Sequence, residues 1–131
     1  MKKISILGAT GSVGINTLEI IASNKNKYNV IALTSYKNYK KLAELALKSN
    51  CKYAVIGQKK YFNNLKEELS GSNIKPLAGY KAICEVSTLN VDILISAIVG
   101  IAGLKPTFAS IGNSKILAIA NKEAVICAGH L

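Results

Sequence analysis

Apolar residues fall into short runs, separated by stretches where they recur at helical spacing. Ile4–Leu7 is a brief β-branched run, and Ser12–Ser23 then carries Val13, Leu18, Ile21 and Ala22 along one helical face. Asn29–Ser35 reads as a second strand, and Asn38–Asn50 as an amphipathic helix with Leu42, Leu45 and Ala46 opposite its lysines. Lys52–Gly57 is a third strand, and Tyr61–Leu69 a helix stopped near Ser70-Gly71. Asn73–Gly79 is a weak strand that Pro76 makes short or places at an edge. Tyr80–Ser87 is helical, Val91–Gly100 a strongly apolar strand, Leu104–Ile111 a helix and Lys115–Asn121 a further strand. Lys122–Leu131 reads as a helix that has only begun.

Strand and helix alternate, which predicts an α/β domain with a mostly parallel sheet covered on both faces. The runs Ile4–Leu7, Val91–Ile95 and Ile116–Ile119 are nearly continuous in apolar residues, as doubly buried central strands are. The expected architecture is a doubly wound, Rossmann-type domain over residues 1–131. The last stretch has no cap or polar tail, so the chain is expected to be the N-terminal piece of a longer protein.

Composition changes this picture little. The chain has 131 residues, half of them hydrophobic, which suits one domain with a real core. No long uncharged apolar run exists, so no membrane span is expected. The apolar run after Lys2-Lys3 is too short for a signal peptide, and a cytoplasmic location is expected. Cys51, Cys84 and Cys127 show no metal spacing and read as small buried thiols. The net charge of +10 rests on seventeen basic residues, all lysine. They are spread along the chain with doublets at Lys40-Lys41 and Lys59-Lys60, and the arginine forks of base and phosphate readers are missing, so no nucleic-acid partner is expected. The charge still favours an anionic cofactor or substrate.

Candidate chemistry begins at Gly8-Ala9-Thr10-Gly11-Ser12-Val13-Gly14, between the first strand and the first helix. Gly8 allows a tight exit from the strand, Gly11 a close approach of backbone to a pyrophosphate, and Gly14 close helix–strand packing. The amides of Gly11, Ser12 and Val13 would face the phosphates, and Ser12 would cap the helix or bond a phosphate oxygen. A glycine-rich turn without ligand fits the same residues.

The end of the second strand bears on which nucleotide. NAD-binding domains place an acid there for the ribose hydroxyls. Here no acid occurs between Glu19 and Glu44, and the gap holds Lys37, Lys40 and Lys41. That charge suits the 2′-phosphate of NADP, with Lys37 the leading candidate and Asn38 a hydrogen-bond partner; a solvated helix start fits equally. Small residues in "ISAIVGIAGL", Ile95–Leu104, leave room for a nicotinamide where the fifth strand ends, unless Gly100 and Gly103 serve only the turn. Asn121, Lys122 and Glu123 follow the last strand at the same rim, where Asn121 also suits a helix cap.

Together "ILGATGSVGINTLEII", "ALTSYKN", "DILISAIVGIAGLKPT" and "ILAIANKEAVICAG" resemble the 1-deoxy-D-xylulose 5-phosphate reductoisomerase family, in its order and over almost the whole chain. The resemblance implies NADPH as cofactor, with Thr10, Gly11, Ser12 and Val13 at the pyrophosphate and Lys37 and Asn38 at the 2′-phosphate. It implies Ala97, Ile98 and Gly100 on the nicotinamide side, Asn121 and Glu123 as further cofactor contacts, and Lys122 at a phosphosugar substrate. Where the family usually has glycine before that lysine, this chain has Tyr36, which would stack on the adenine or crowd it. The resemblance also implies Mg²⁺ or Mn²⁺, held by carboxylates of a following catalytic domain, and a homodimer. Asp92, early in a strand, is no candidate ligand, and His130 matches no catalytic position of the family. The piece itself is expected to bind cofactor without catalysing turnover. The alternatives are a stand-alone nucleotide-binding Rossmann module and another NADP-dependent dehydrogenase.

Overall fold

The computed structural model describes residues 1–98 and 101–120. Its elements alternate: β1 (Lys2–Leu7), α1 (Ser12–Ala22), β2 (Tyr28–Ser35), α2 (Tyr39–Ser49), β3 (Tyr53–Ile56), α3 (Phe62–Glu68), β4 (Lys75–Ala78), α4 (Tyr80–Ser87), β5 (Val91–Ser96), α5 (Leu104–Ser110) and β6 (Ser114–Ile119). Single 3₁₀ turns, Lys59–Tyr61 and Ile101–Gly103, lead into α3 and α5. The six strands form one sheet in the order β4-β3-β2-β1-β5-β6, and every pairing is parallel.

Strand pleat divides the core in two. Ile4, Ile6, Val30, Leu33, Ala54 and Ile56 point to one face, where they meet Leu18 and Ile21 of α1, Leu42 and Leu45 of α2, and Leu65 of α3. Leu7, Ala32, Val55 and Leu94 point to the other and meet Ile83 and Val86 of α4. On that second face α5 packs beside α4, and the buried hydroxyls of Ser96 on β5 and Thr107 on α5 share a 2.7 Å hydrogen bond. Helices therefore cover both faces. The strand order runs outward from β1 to β4 and then reverses to β5, so the chain switches direction between β1 and β5. In open α/β sheets such a reversal parts the loops at the carboxyl ends of the strands and leaves a crevice.

Some sequence expectations hold and others are placed differently. Pro76 lies on β4, a four-residue strand at one edge, as its missing amide requires. The β6 run, expected to be central, forms the other edge of the described sheet, with Ile116 53% exposed. An apolar run reports hydrophobicity but not how many strands flank it. Val13 is not on the buried stripe of α1, which is formed by Gly14, Leu18 and Ile21; Val13 stands exposed at the first turn. β5 ends at Ser96, short of the expected Gly100. The expected final helix, with Cys127 and His130, lies outside the described residues. Cys51 is buried as expected, which pushes its thiol up to about 12, while Cys84 is half-buried.

Two positions test this packing. A Cβ on Gly14 would lie 2.4 Å from the Ala9 carbonyl oxygen and 2.5 Å from its Cα, so α1 seats directly on the turn. Gly14→Ala is expected to cost about 2–3 kcal/mol in urea denaturation, as overpacking against backbone does. At the far end of the sheet the Asp92 carboxylate accepts the Lys3 amide at 2.7 Å and meets Lys115 Nζ at 3.1 Å. The Lys3 amide first, and Lys115 after it, hold this carboxyl below its ordinary value of 3.8. Its contribution is therefore complete above that value and lost as pH falls through the lowered one. Asp92→Asn is expected to melt below the wild type at pH 7, with the difference closing as pH falls through the lowered value, in thermal melts across the acid range.

Candidate functional site

A cleft of about 430 Å³ opens at the carboxyl ends of β1, β2 and β5, lined by Gly8, Thr10, Gly11, Thr34, Ser35, Tyr36, Tyr80, Ile83, Ala97, Ile98 and Ala102. Its size lies in the range of small-molecule sites. It sits at the β1/β5 reversal, where ligands of doubly wound sheets bind.

The floor follows from the glycine turn. Gly8 has φ +78°, a conformation costly for any side chain, and a Cβ there would lie 2.8 Å from the Ala97 carbonyl oxygen. The turn can therefore press against the end of β5, where the Ala97 amide donates to the Leu7 carbonyl at 2.8 Å. On the other side β2 holds it. The Gly8 amide donates to Thr34 Oγ1 at 2.9 Å, the Ala9 amide donates to the Thr34 carbonyl at 2.8 Å, and the hydroxyls of Thr10 and Ser35 share a 2.8 Å hydrogen bond.

Helix α1 leaves this turn without a side-chain cap. Its N-cap is Gly11, so Ser12 is the first helical residue and not the expected cap. The first helical bond runs from the Ile15 amide to the Gly11 carbonyl. The amides of Ser12, Val13 and Gly14 have no partner among the described residues. They carry the positive end of the helix dipole and are free to donate to anionic oxygens. A Cβ on Gly11 would meet nothing nearer than 3.8 Å, and its φ of −82° suits any residue. Nothing within the described protein demands glycine there; the space beside it opens to the cleft.

At the end of β2, Tyr36, Lys37 and Asn38 are all exposed. Asn38 is the N-cap of α2, its Oδ1 accepting the Lys41 amide at 3.3 Å. The helix-start role weighed for it is thus present, with its side-chain amide nitrogen still available to a ligand. Tyr39 stacks on Tyr61 with ring centroids 5.4 Å apart, and Lys60 lies over the Tyr61 ring at 5.1 Å. This ties the β3–α3 connection to the start of α2. Among the described residues no carboxylate lines the cleft.

The structure thus brings Thr10, Gly11, Tyr36, Ala97 and Ile98 to one cleft, with Ser12 and Val13 at the adjoining helix start and Lys37 and Asn38 beside its Tyr36 wall. Gly100, Asn121, Lys122 and Glu123 lie outside the described residues. The sequence reading overlooked Thr34, Ser35, Tyr80, Ile83 and Ala102. Polar Thr34 and Ser35 closing an otherwise apolar strand were a usable signal. Tyr80 follows Gly79 at the β4–α4 turn and donates its hydroxyl to the Ala102 carbonyl at 2.7 Å, bridging two rim connections. Burial first, and Cys84 beside it, push the Tyr80 hydroxyl above its usual range, so it stays a donor at neutral pH.

Among the described residues no three His, Cys, Asp or Glu side chains come together as a cation site. Asp92 is engaged at the opposite end of the sheet. No helix of the described residues is long and apolar enough to cross a membrane.

Comparison with known proteins agrees with this geometry. Residues 4–129 match the family model of 1-deoxy-D-xylulose 5-phosphate reductoisomerase. The chain is 45% identical over 130 residues to that enzyme from Zymomonas mobilis, and 42% identical over 132 residues to that of Wolbachia pipientis from Culex pipiens. It covers 99% and 100% of itself in these matches but only 34% of each relative, so it spans about a third of their length. The solved Zymomonas mobilis reductoisomerase in complex with NADPH superposes with a TM-score of 0.95 at 44% identity, over 98% of this chain and 34% of that one. A DOX-P reductoisomerase in complex with NADPH, fosmidomycin and magnesium superposes with a TM-score of 0.91 at 34% identity, over 100% of this chain and 33% of that one. With its glycine turn, its parallel six-stranded sheet and its cleft in place, this chain belongs to the 1-deoxy-D-xylulose 5-phosphate reductoisomerase family.

Proposed function

We propose that this chain is the NADPH-binding part of a reductoisomerase that converts 1-deoxy-D-xylulose 5-phosphate to 2-C-methyl-D-erythritol 4-phosphate in non-mevalonate isoprenoid synthesis. The observation that carries the reading is the uncapped start of α1 opening on a cleft at the β1/β5 reversal, in a chain of this family. In the reading, the amides of Ser12 and Val13 hold the pyrophosphate, with Thr10 and Gly11 beneath it. Lys37 and the side-chain amide of Asn38 hold the 2′-phosphate, and Ala97, Ile98 and Gly100 border the nicotinamide. Asn121 and Glu123 complete the cofactor contacts, and Lys122 meets the phosphosugar. The bound cofactor supplies the hydride; the residues of this chain orient it and exclude water.

Relatives solved with NADPH and with magnesium support both groups for the whole protein. The described residues fit the cofactor through free amides, open space at Gly11 and a lysine-bearing, acid-free β2 end. They offer no carboxylate cluster for Mg²⁺ or Mn²⁺, so the reading assigns the metal ligands to the further two-thirds that the relatives possess. The whole protein is read as a cytoplasmic homodimer, with neither nucleic acid nor membrane as partner. This third alone binds cofactor without turnover.

Two measurements test the cofactor site. Titration is expected to show tighter binding of NADPH than of NADH. Lys37→Ala should weaken NADPH about tenfold, the scale of one charge-assisted contact, and leave NADH unchanged. Equal affinity of the wild type for both nucleotides would sink the assignment. Gly11→Val should abolish NADPH binding while stability stays within about 1 kcal/mol of wild type, since only N-cap preference is altered. A large stability loss would instead mark Gly11 as a packing residue.

A further inference from the structure

Four tyrosines stand in or beside the cleft, and the fold uses three of them. Tyr39 stacks on Tyr61, and Tyr80 donates to the Ala102 carbonyl. Tyr36 is 65% exposed, lines the cleft, and its hydroxyl has no partner among the described residues. Neither burial nor hydrogen bonding accounts for an aromatic ring there. Yet its backbone is firmly held: the Gly57 amide donates to the Ser35 carbonyl at 2.7 Å and the Gln58 amide to the Tyr36 carbonyl at 2.8 Å.

Gly57 supplies the second observation. It is not in the left-handed region, so its backbone does not call for glycine. A Cβ there would lie 2.9 Å from Tyr36 Cδ1, and 3.2 Å from the Tyr36 Cα and carbonyl oxygen. The nearest atom it would strike is the ring itself. The bare backbone of Gly57 is therefore the seat of the Tyr36 side chain.

We propose that Tyr36, seated on Gly57, is the platform on which the adenine of the cofactor stacks, and that this pair tunes affinity at the adenosine end. The inference rests on the NADPH reading of the cleft. A dinucleotide with its pyrophosphate at the α1 start directs its adenosine ribose to the end of β2. Tyr36 is the first residue beyond that strand, and Gly57 is the first beyond β3. An exposed ring offers an apolar face to a purine and retains its value with the hydroxyl removed.

The test titrates the 131-residue chain with NADPH, with adenosine 2′,5′-bisphosphate, and with inorganic pyrophosphate as a base-free probe. Tyr36→Ala should weaken the first two about 5- to 160-fold, the range for loss of one base–aromatic stack, and leave pyrophosphate unchanged. Tyr36→Phe should bind like wild type. Gly57→Ala should weaken the two adenine-bearing probes in the wild-type background and have no effect on them beside Tyr36→Gly, a coupling that a double-mutant cycle reads directly. Melting temperatures of Tyr36→Phe and Tyr36→Ala should match wild type. Unchanged or tighter adenine-probe binding by Tyr36→Ala or Tyr36→Gly overturns the platform. An equal effect of Gly57→Ala in both backgrounds overturns the coupling. Failure of the wild type to bind NADPH overturns the cofactor reading and the inference together, whereas a change confined to the tyrosine variants concerns the inference alone.

Discussion

The close approach of Gly8 to the backbone of Ala97 is the constraint on which the rest of the site depends. β1 is the pivot of the sheet, with β2 on one side and β5 on the other, and the turn leaving it must clear both neighbours. A side chain at residue 8 would need a positive φ and would overlap the Ala97 carbonyl. With glycine there, the turn lies flat between the ends of β2 and β5. Thr34 anchors it from one side and the backbone of β5 bounds it on the other. Helix α1 then starts at the crevice with its amides facing outward, and Gly14 lets it settle on Ala9. The site is thus a by-product of strand order and of atoms left out.

How much of this was legible in the sequence depends on what kind of force made each feature. The alternation of strand and helix was readable because burial on both sheet faces imposes a continuous apolar run, and burial on one helix face imposes spacing. The edge position of Pro76 was readable because a missing amide is a local fact. The position of β6 at the edge of the described sheet was not, since strand order is set by long-range pairing that leaves no mark on a run such as Ile116–Ile119. Val13 misled for a related reason: its spacing is helical, but it lies in the first turn, beyond the reach of the sheet.

The same division runs through the candidate site. The glycine turn and the acid-free end of β2 stood out because they depart from ordinary composition at a recognisable place. Thr34 and Ser35 were passed over, although two hydroxyls closing an apolar strand mark the point where that strand meets a turn. Tyr80 and Gly57 carried no signal of their own, because their meaning lies in residues distant in sequence: Ala102 for one, Tyr36 for the other. A glycine that exists to seat a neighbour's ring looks in sequence like any glycine after a strand.

The strand order also sets an assembly schedule. From β1 to β4 each strand pairs with the one just before it in the chain, so this half closes through local helical crossovers. The other edge of β1 waits much longer, since Ile4 pairs with Ile93. As the polypeptide leaves the ribosome, β1 through β4 can assemble while one flank of the central strand β1 still lacks its neighbour. An unpaired apolar edge is a template for foreign strands. The polypeptide is thus most open to misassociation in the interval before residues 91–96 emerge and close that flank.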